Sequence, residues 1–480
     1  MSIQVFLQGT LSGIEPFVMG AGSAAGDATV AGRCVWASLL SEVLPRALLA
    51  ELGLAKVLLG SSGGGSFLLV LPQASIPQAE EFLTRAATAI SALSAGRLHL
   101  TWGATENLGD WSIVRKRLAE AVWKPQQVDP AAAQPGIFEP YAEVAAPMED
   151  PYASAYFDSL LTGLRDATVV SWNPDAPARI VFGPGAHTWT LGSGPEEVPL
   201  ARHAAPGADG VGVGSPADLG AKAAGQPCWG VLRGEVDNFG SRTRRAQSVE
   251  EFVQLTALFK QFFAGELTLA CLQPDYWQRV TILYAGHDQF AAFGAWDALI
   301  ELGRELQRLF QRFADEKLKE MDGPEGKTIT MSLALADSAQ SPLAAVFDES
   351  GRRLHAAKAG GRDCFHLFGR AAEWRHVNHA RDLKEMMRRM IGDLGCPPEF
   401  LAELAGFYGE KPETQTDRPW RYSRRLGRVL GEHKDREVQR LQKALITDIV
   451  GKSATQVKLR PAGLVAVEWA RMLTPQQRQN

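Results

Sequence analysis

Between Cys228 and Gly369 the spacing of apolar residues switches repeatedly between the period of a strand and that of a helix. Residues 229–236 predict a strand. Phe252, Leu255, Phe259 and Phe262 then recur at helical spacing. Two apolar runs, 280–284 and 290–293, flank a polar, glycine-containing turn and predict a hairpin. Leu299, Leu302, Leu306, Leu309 and Phe313 mark a second helix, 328–336 a strand, 342–359 a helix and 364–368 a closing strand. The order βαββαβ within this stretch is the ferredoxin-like arrangement of palm domains.

The beginning of the chain repeats that order. A strand is predicted at 4–10, a helix around 35–52, a hairpin over 57–71, a helix near 80–93 and a strand at 97–102. Two palm-like units in one chain amount to an internal duplication, read from element order rather than from identity. Between them, 175–225 is rich in Gly, Pro and Ala, the composition of a loop-rich connector. After Arg370 strand signals vanish, and 383–391, 398–408, 420–430, 437–449 and 464–473 carry helical periodicity, as in a bundle. The expected fold is therefore α+β. Two ferredoxin-like palm domains of the adenylyl/guanylyl cyclase type, 1–145 and 227–371, are separated by a connector or small insert domain at 146–226 and followed by a helical bundle at 372–480.

Length agrees with several domains, since 480 residues exceed the roughly 250–300 at which one core stops growing. The 45% hydrophobic and 22% charged content is that of an ordinary globular chain. A net charge of −4 gives no global bias toward nucleic acid, although a local basic face is compatible with it. The segment Met1-Ser2-Ile3-Gln4-Val5-Phe6 lacks a basic start and a long apolar run, and no uncharged apolar stretch of about 18 residues follows. A cytoplasmic protein with no membrane partner is expected. Cys34, Cys228, Cys271, Cys364 and Cys396 are far apart, an odd set without a Cys-x-x-Cys pair, and are expected to be buried reduced thiols.

Palm cyclases and polymerases hold two divalent metals with carboxylates from the end of the first strand and from the facing hairpin. Here Glu235 and Asp237 lie at the strand end and Asp288 at the hairpin tip, so these three are the candidate metal ligands. The tip reads Gly286-His287-Asp288-Gln289, with a side chain at His287 where a second glycine would admit a nucleotide and a neutral Gln289 where a carboxylate would help hold metal. The competing reading is that these residues cap turns, Asp237-Asn238 being a frequent turn pair. His287-Asp288 is the only His-Asp dipeptide, but no companion ligand set for an HD-type phosphohydrolase is evident. In the first unit, Ser61-Ser62-Gly63-Gly64-Gly65-Ser66 occupies the equivalent hairpin, either a phosphate cradle or simply a tight turn. Toward the C-terminus, Arg418, Arg421, Arg425 and Arg428 recur at helical spacing with Arg424, Trp420 and Tyr422 interleaved. Such a stripe suits RNA or an acidic protein neighbour, or is a solvated helix face.

These segments together resemble the large subunit of type III CRISPR effector complexes, nearest the Csm type. Gly9-Thr10-Leu11-Ser12-Gly13-Ile14-Glu15-Pro16-Phe17 is similar to that family's Asp-Ile-Ser-Gly-Ile-Gln opening, with Thr10 in place of the usual Asp. Ala31-Gly32-Arg33, Leu39-Leu40-Ser41-Glu42 and Gly63-Gly64-Gly65 continue the first palm pattern. Ala201-Arg202-His203 and Gly230 to Asn238 resemble the entry to the second palm, and Ala356-Ala357-Lys358 with Gly361-Arg362 its last helix end. Pro419-Trp420-Arg421 and Trp469-Ala470 resemble the terminal bundle. The resemblance implies that Gly286, His287, Asp288, Gln289 and Lys358 are what remains of a nucleotide-binding set. The family's Gly-Gly-Asp-Asp hairpin is altered, its strand-end Asp is Glu235, and the N-terminal HD nuclease domain of many members is expected to be missing.

The resemblance further implies a degenerate scaffold subunit that binds crRNA and target RNA, the backbone subunit at the crRNA 5′ end and the small subunit. The HD nuclease would be absent and cyclic oligoadenylate synthesis inactive. No cofactor is then required, and Mg or Mn with ATP matters only if a residual cyclase site works. The rival expectation is an active cyclic oligoadenylate (nucleotidyl) synthase with an altered metal site, and a third is a free-standing nucleotide-binding palm protein.

Overall fold

The computed structural model describes residues 4–19, 26–123, 151–192, 194, 196–210, 212–409, 419–431, 435–451 and 459–474. The chain opens with β1 (Gln4–Ser12), the short helix α1 (Ile14–Met19) and the long α2 (Asp27–Glu51). Next come β2 (Leu59–Gly63), β3 (Ser66–Pro72), α3 (Ile76–Leu93), β4 (His99–Glu106) and α4 (Trp111–Trp123). The four strands form an antiparallel sheet in the order β2-β3-β1-β4. Helix α2 is buried on nearly every side, as a helix apolar around its whole circumference must be. It nevertheless carries the buried charges of Glu42 and Arg46.

The segment expected to be a loop-rich connector is more ordered than its composition implies. It contains α5 (Pro151–Leu164), a small sheet of β5 (Val169–Trp172), β6 (Ile180–Phe182) and β7 (His187–Thr190) in the order β6-β5-β7, and α6 (Pro216–Ala221). Helices α2 and α5 pack so closely that a Cβ on Gly32 would lie 2.0 Å from the Phe157 carbonyl oxygen. Phe157, Leu160 and Trp172 thereby enter the same core as Leu39, Leu40 and Val43. Glycine and proline marked the turns correctly; the strands between them are only three or four residues long and left little periodic signal.

The second sheet follows from β8 (Trp229–Val236), α7 (Phe239–Arg244), α8 (Val249–Gln261), a π-helical turn at Phe262–Glu266, α9 (Leu267–Cys271), β9 (Val280–Ala285), β10 (Gln289–Ala295), α10 (Trp296–Lys317), β11 (Ile329–Leu335), α11 (Leu343–Gly360), β12 (Cys364–Leu367) and β13 (Arg370–Glu373). Its order is β13-β12-β11-β8-β10-β9, so β9-β10-β8-β11 repeats the order β2-β3-β1-β4 of the first sheet. Strand β8 is buried along nearly its whole length, both its faces being covered, although it carries the charged Arg233 and Glu235. Leu232 and Val236 join the core shared with the C-terminal helices, whereas Trp229 and Val231 join the core of the first palm. Strand β10 divides likewise, Phe290 and Ala292 on one side, Ala291 and Phe293 on the other.

The expectation of no strand after Arg370 is corrected by β13. Phe368 and Gly369 both take positive φ, 47° and 78°, in a two-residue hairpin turn, and of the strand that follows only Ala372 is buried. A short, polar edge strand leaves no apolar pattern to read. The remaining helices are α12 (Trp374–Gly392), α13 (Glu399–Gly409), α14 (Pro419–Leu430), α15 (Arg436–Val450) and α16 (Pro461–Leu473), which pack on the outer side of the second sheet. The five cysteines are free thiols, four buried and Cys228 half-buried. Among the described residues no helix is long and apolar enough to cross a membrane.

Candidate functional site

The two palms meet where the turn between β2 and β3 faces the turn between β9 and β10. Gly63, Gly64 and Gly65 take φ of 116°, 57° and 80°, a run of left-handed backbone open to glycine at no steric cost. Opposite them, Gly286 approaches so closely that a Cβ on it would lie 3.1 Å from Gly64 Cα. The β9–β10 turn is closed by Gly286 N–H donating to the Gln289 carbonyl at 2.7 Å. Its junction to β8 is fixed by Val236 N–H donating to the Asp288 carbonyl, also 2.7 Å.

Five predicted site residues, Glu235, Gly286, Asp288, Gln289 and Lys358, come together here. Glu235 faces Gln289 across the β8–β10 ladder, and its carboxylate forms an ion pair with the Lys358 ammonium from the last turns of α11. Asp288 is buried beside them. Desolvation, and then the Glu235 charge, push its carboxyl up to about 6, against a smaller opposing pull from Lys358. Two cavities flank this group. One of about 210 Å³ lies between the palms, lined by Glu15, Gly64, Gly65, Gly286, Asp288 and Gln289 among others. The other, about 530 Å³, is an outer cleft bordered by Glu235, Gln289, His355, Lys358 and Arg362. Arg233, two residues before Glu235 on β8, borders both. Its Nη1 donates to Glu15 Oε1 at 3.0 Å, its guanidinium lies over the Phe347 ring at 4.3 Å, and its Nε has no partner.

Two predicted site residues lie elsewhere. Asp237, expected among the metal ligands, is 1% exposed and points away into the fold. One carboxylate oxygen accepts from Thr330 Oγ1 at 2.7 Å, and the other from Thr328 Oγ1 at 2.8 Å and from the Asp363 N–H at 3.0 Å. It fastens β8 to β11 and β12 through partners distant in sequence, a role that neither the metal nor the turn-capping reading named, and left-handed Asn238 (φ 57°) follows it. His287, expected in the nucleotide set, is turned from the outer cleft and packed against Gly63 and Gly64. Burial, and then the nearby Lys260 charge, lower its imidazole to about 4, and its Nε2 has no partner.

Behind the histidine lies a buried polar cluster that the sequence did not disclose. Lys260 of α8 donates to Glu42 of α2 at 2.7 Å and to the Ser62 carbonyl at 2.8 Å, while Arg46 donates to Glu42 at 2.9 Å. Glu42 stood in a segment quoted for family resemblance, and Ser62 in the glycine-rich hairpin. Lys260 had no signal at all, because a single lysine on an amphipathic helix reads as solvated.

The predicted arginine stripe is redistributed. Arg418 lies outside the described residues. On α14, Arg421, Arg424 and Arg428 are exposed, with the Arg421 guanidinium 5.8 Å from the centre of the Trp420 ring. Arg425 turns inward, bonding Glu403 at 2.5 Å and lying over Phe407, and Tyr422 is buried edge-on to the same ring. Steps of three and four residues bracket a helix face, and here Arg424 rather than Arg425 shares it with Arg421 and Arg428.

A two-metal centre does not fit this donor set. Asp237 is committed to the fold, Gln289 is neutral and Glu235 is ion-paired to Lys358. Among the described residues no three His, Cys, Asp or Glu side chains converge as a metal site.

The fold and the facing hairpins define a protein with paired palm domains of the nucleotidyl cyclase class. The family model described as Cas10/Cmr2, second palm domain, matches residues 228–366. Within the second palm the chain is thus similar to the Cas10-type large subunits of type III CRISPR systems. It is 25% identical over 190 residues to the CRISPR system single-strand-specific deoxyribonuclease Cas10/Csm1 (subtype III-A) of Thermococcus onnurineus, covering 34% of this chain and 23% of the relative. Over 99 residues it is 30% identical to the protein of the same description from Enterococcus italicus, covering 20% of this chain and 13% of that one. The matched stretches thus span less than a quarter of either curated relative. Its fold is similar to that of Csm1 from T. onnurineus, with a TM-score of 0.67 at 18% identity over 99% of this chain and 70% of that one. A Csm1–Csm4 subcomplex of the type III-A interference complex gives 0.68 at 18% identity, over 98% of this chain and 70% of that one.

Proposed function

We propose that the chain is a scaffold and RNA-binding large subunit of a type III complex whose paired-palm cleft holds a nucleotide without turning it over. The observation that carries this reading is the state of the carboxylates. Phosphoryl transfer of the palm type rests on positioning and on charge stabilisation by metal. Here one of three expected ligands is built into the sheet, one is ion-paired to a lysine, and the third, Asp288, is buried beside them. Nucleotide binding draws support from the cavities on either side of Arg233 and from the solved likenesses, among them Csm1–Csm4 cassettes in complex with AMPPNP and with pppApA. Those same cassettes support a neighbouring backbone subunit as partner. The exposed arginines of α14 offer a surface for crRNA, target RNA or the small subunit.

The test is incubation of the purified protein, alone and assembled with guide and target RNA, with ATP and Mg²⁺ or Mn²⁺. Little or no cyclic oligoadenylate is expected. Target-RNA-dependent product that disappears in a Glu235→Ala variant would establish the synthase reading instead.

A further inference from the structure

We infer that Lys358 takes the place of a divalent cation in the cleft, so that the site binds a nucleoside triphosphate without metal. The inference rests on the nucleotide-holding reading above and names the counter-charge that such a ligand would meet. A triphosphate bound in a palm needs positive charge between itself and the carboxylates beneath it, or the like charges repel. In this chain that position is filled from within. Lys358 comes off α11 onto Glu235 as a half-buried ion pair, and its charge also acts on Asp288. Of the charged side chains bordering the outer cleft, Lys358, Arg233 and Arg362 outnumber Glu15 and Glu235. Arg233 is more than nine-tenths buried, and its Nε has no partner.

The donor count argues the same way. With Asp237 holding Thr328, Thr330 and the Asp363 N–H, and with Gln289 neutral, only Glu235 and Asp288 remain to bind a cation. An ammonium needs no octahedral shell, whereas Mg²⁺ would need several ligands at fixed geometry. One lysine held by Glu235 therefore satisfies the site as it stands.

Equilibrium titration of the full chain with ATP, once in Mg²⁺ and once in EDTA, reads the first consequence. The dissociation constant should agree between the two within about twofold, while Lys358→Met should weaken metal-free binding by about tenfold or more, as expected for loss of a charge-assisted contact. Binding that collapses in EDTA, or that is unchanged in Lys358→Met, overturns the inference. A Mn²⁺ titration of the nucleotide-free protein followed by electron paramagnetic resonance gives an independent reading. The Mn²⁺ signal should remain that of the free ion with the native protein, and stoichiometric binding would overturn the inference. Absence of ATP binding in every arm would remove the nucleotide reading itself, and the Mn²⁺ titration then decides whether the lysine occupies the cation position.

Discussion

His287 and Asp288 are neighbours whose burial pulls stability in opposite directions with pH. The imidazole is lowered to about 4, so the folded protein binds fewer protons there than the unfolded chain, and its contribution is present above pH 6.5 and lost as pH falls toward 4. The carboxyl is raised to about 6, so its contribution is greatest below pH 3.8 and is lost as pH rises through 6. The histidine's share is isolated by difference. Native protein should lose on the order of 3 kcal/mol more than His287→Gln between pH 6.5 and 4, measured by urea unfolding, with Lys260, Glu42 and Ser62 unchanged around it. His203, also lowered to about 4 by burial, contributes equally to both proteins and cancels. At Asp237 the three donors fix the expectation: Asp237→Asn places an amide NH₂ against one of them and should cost about 1–3 kcal/mol of unfolding free energy. At the residue scale the sequence indicated the positions of Glu235 at a strand end and Asp288 at a hairpin tip, but not the ion pair that Glu235 makes with Lys358. Nor did it indicate the role of Asp237, whose direction depends on Thr328 and Thr330 some ninety residues away.

Many strands and helices were read to within a few residues, although α2 and α12 begin well before the predicted 35–52 and 383–391. Trp229–Val236 is observed at its predicted bounds, and α10 lies where Leu299, Leu302 and Leu306 placed it. Elements with weak pattern, β5 to β7 and β13, escaped because few of their side chains are buried or because the strands are too short for alternation to show. The periodicity of α14 was real, yet it misassigned one arginine, since period alone does not say where the apolar sector ends. The correction separates two expectations. Arg425→Glu places like charges at Glu403 and removes the contact over Phe407, and should lower stability by roughly 1–2 kcal/mol in a thermal or urea melt. Arg421→Glu with Arg424→Glu should leave the melt unchanged while weakening assembly with RNA, and should flatten the dependence of that assembly on salt. An affinity unchanged across the salt titration would make the face a solvated one.

At the scale of the whole molecule, the second sheet is a shared wall, with the first palm on one side and the C-terminal helices on the other. Lys260 and Glu42 tie the palms together behind the hairpins. Removing the ammonium leaves a buried carboxylate with only Arg46 and Ser62, so Lys260→Met should cost on the order of 3 kcal/mol, and a double-mutant cycle with Glu42→Gln should show the two effects to be coupled rather than additive. The duplication itself was visible in the order of predicted elements; the polar tie between the copies was not, because it depends on how they dock. That docking has a further consequence. Gly64 leaves the room that His287 fills, and a Cβ on Gly64 would lie 3.2 Å from the imidazole Nδ1. Two identical subunits meeting tip to tip would carry the same residues on both sides, so a histidine on one tip brings a histidine on the other. Tandem copies on one polypeptide escape that symmetry, each tip free to carry its own residue, and the cleft between them forms by a first-order process that dilution cannot undo.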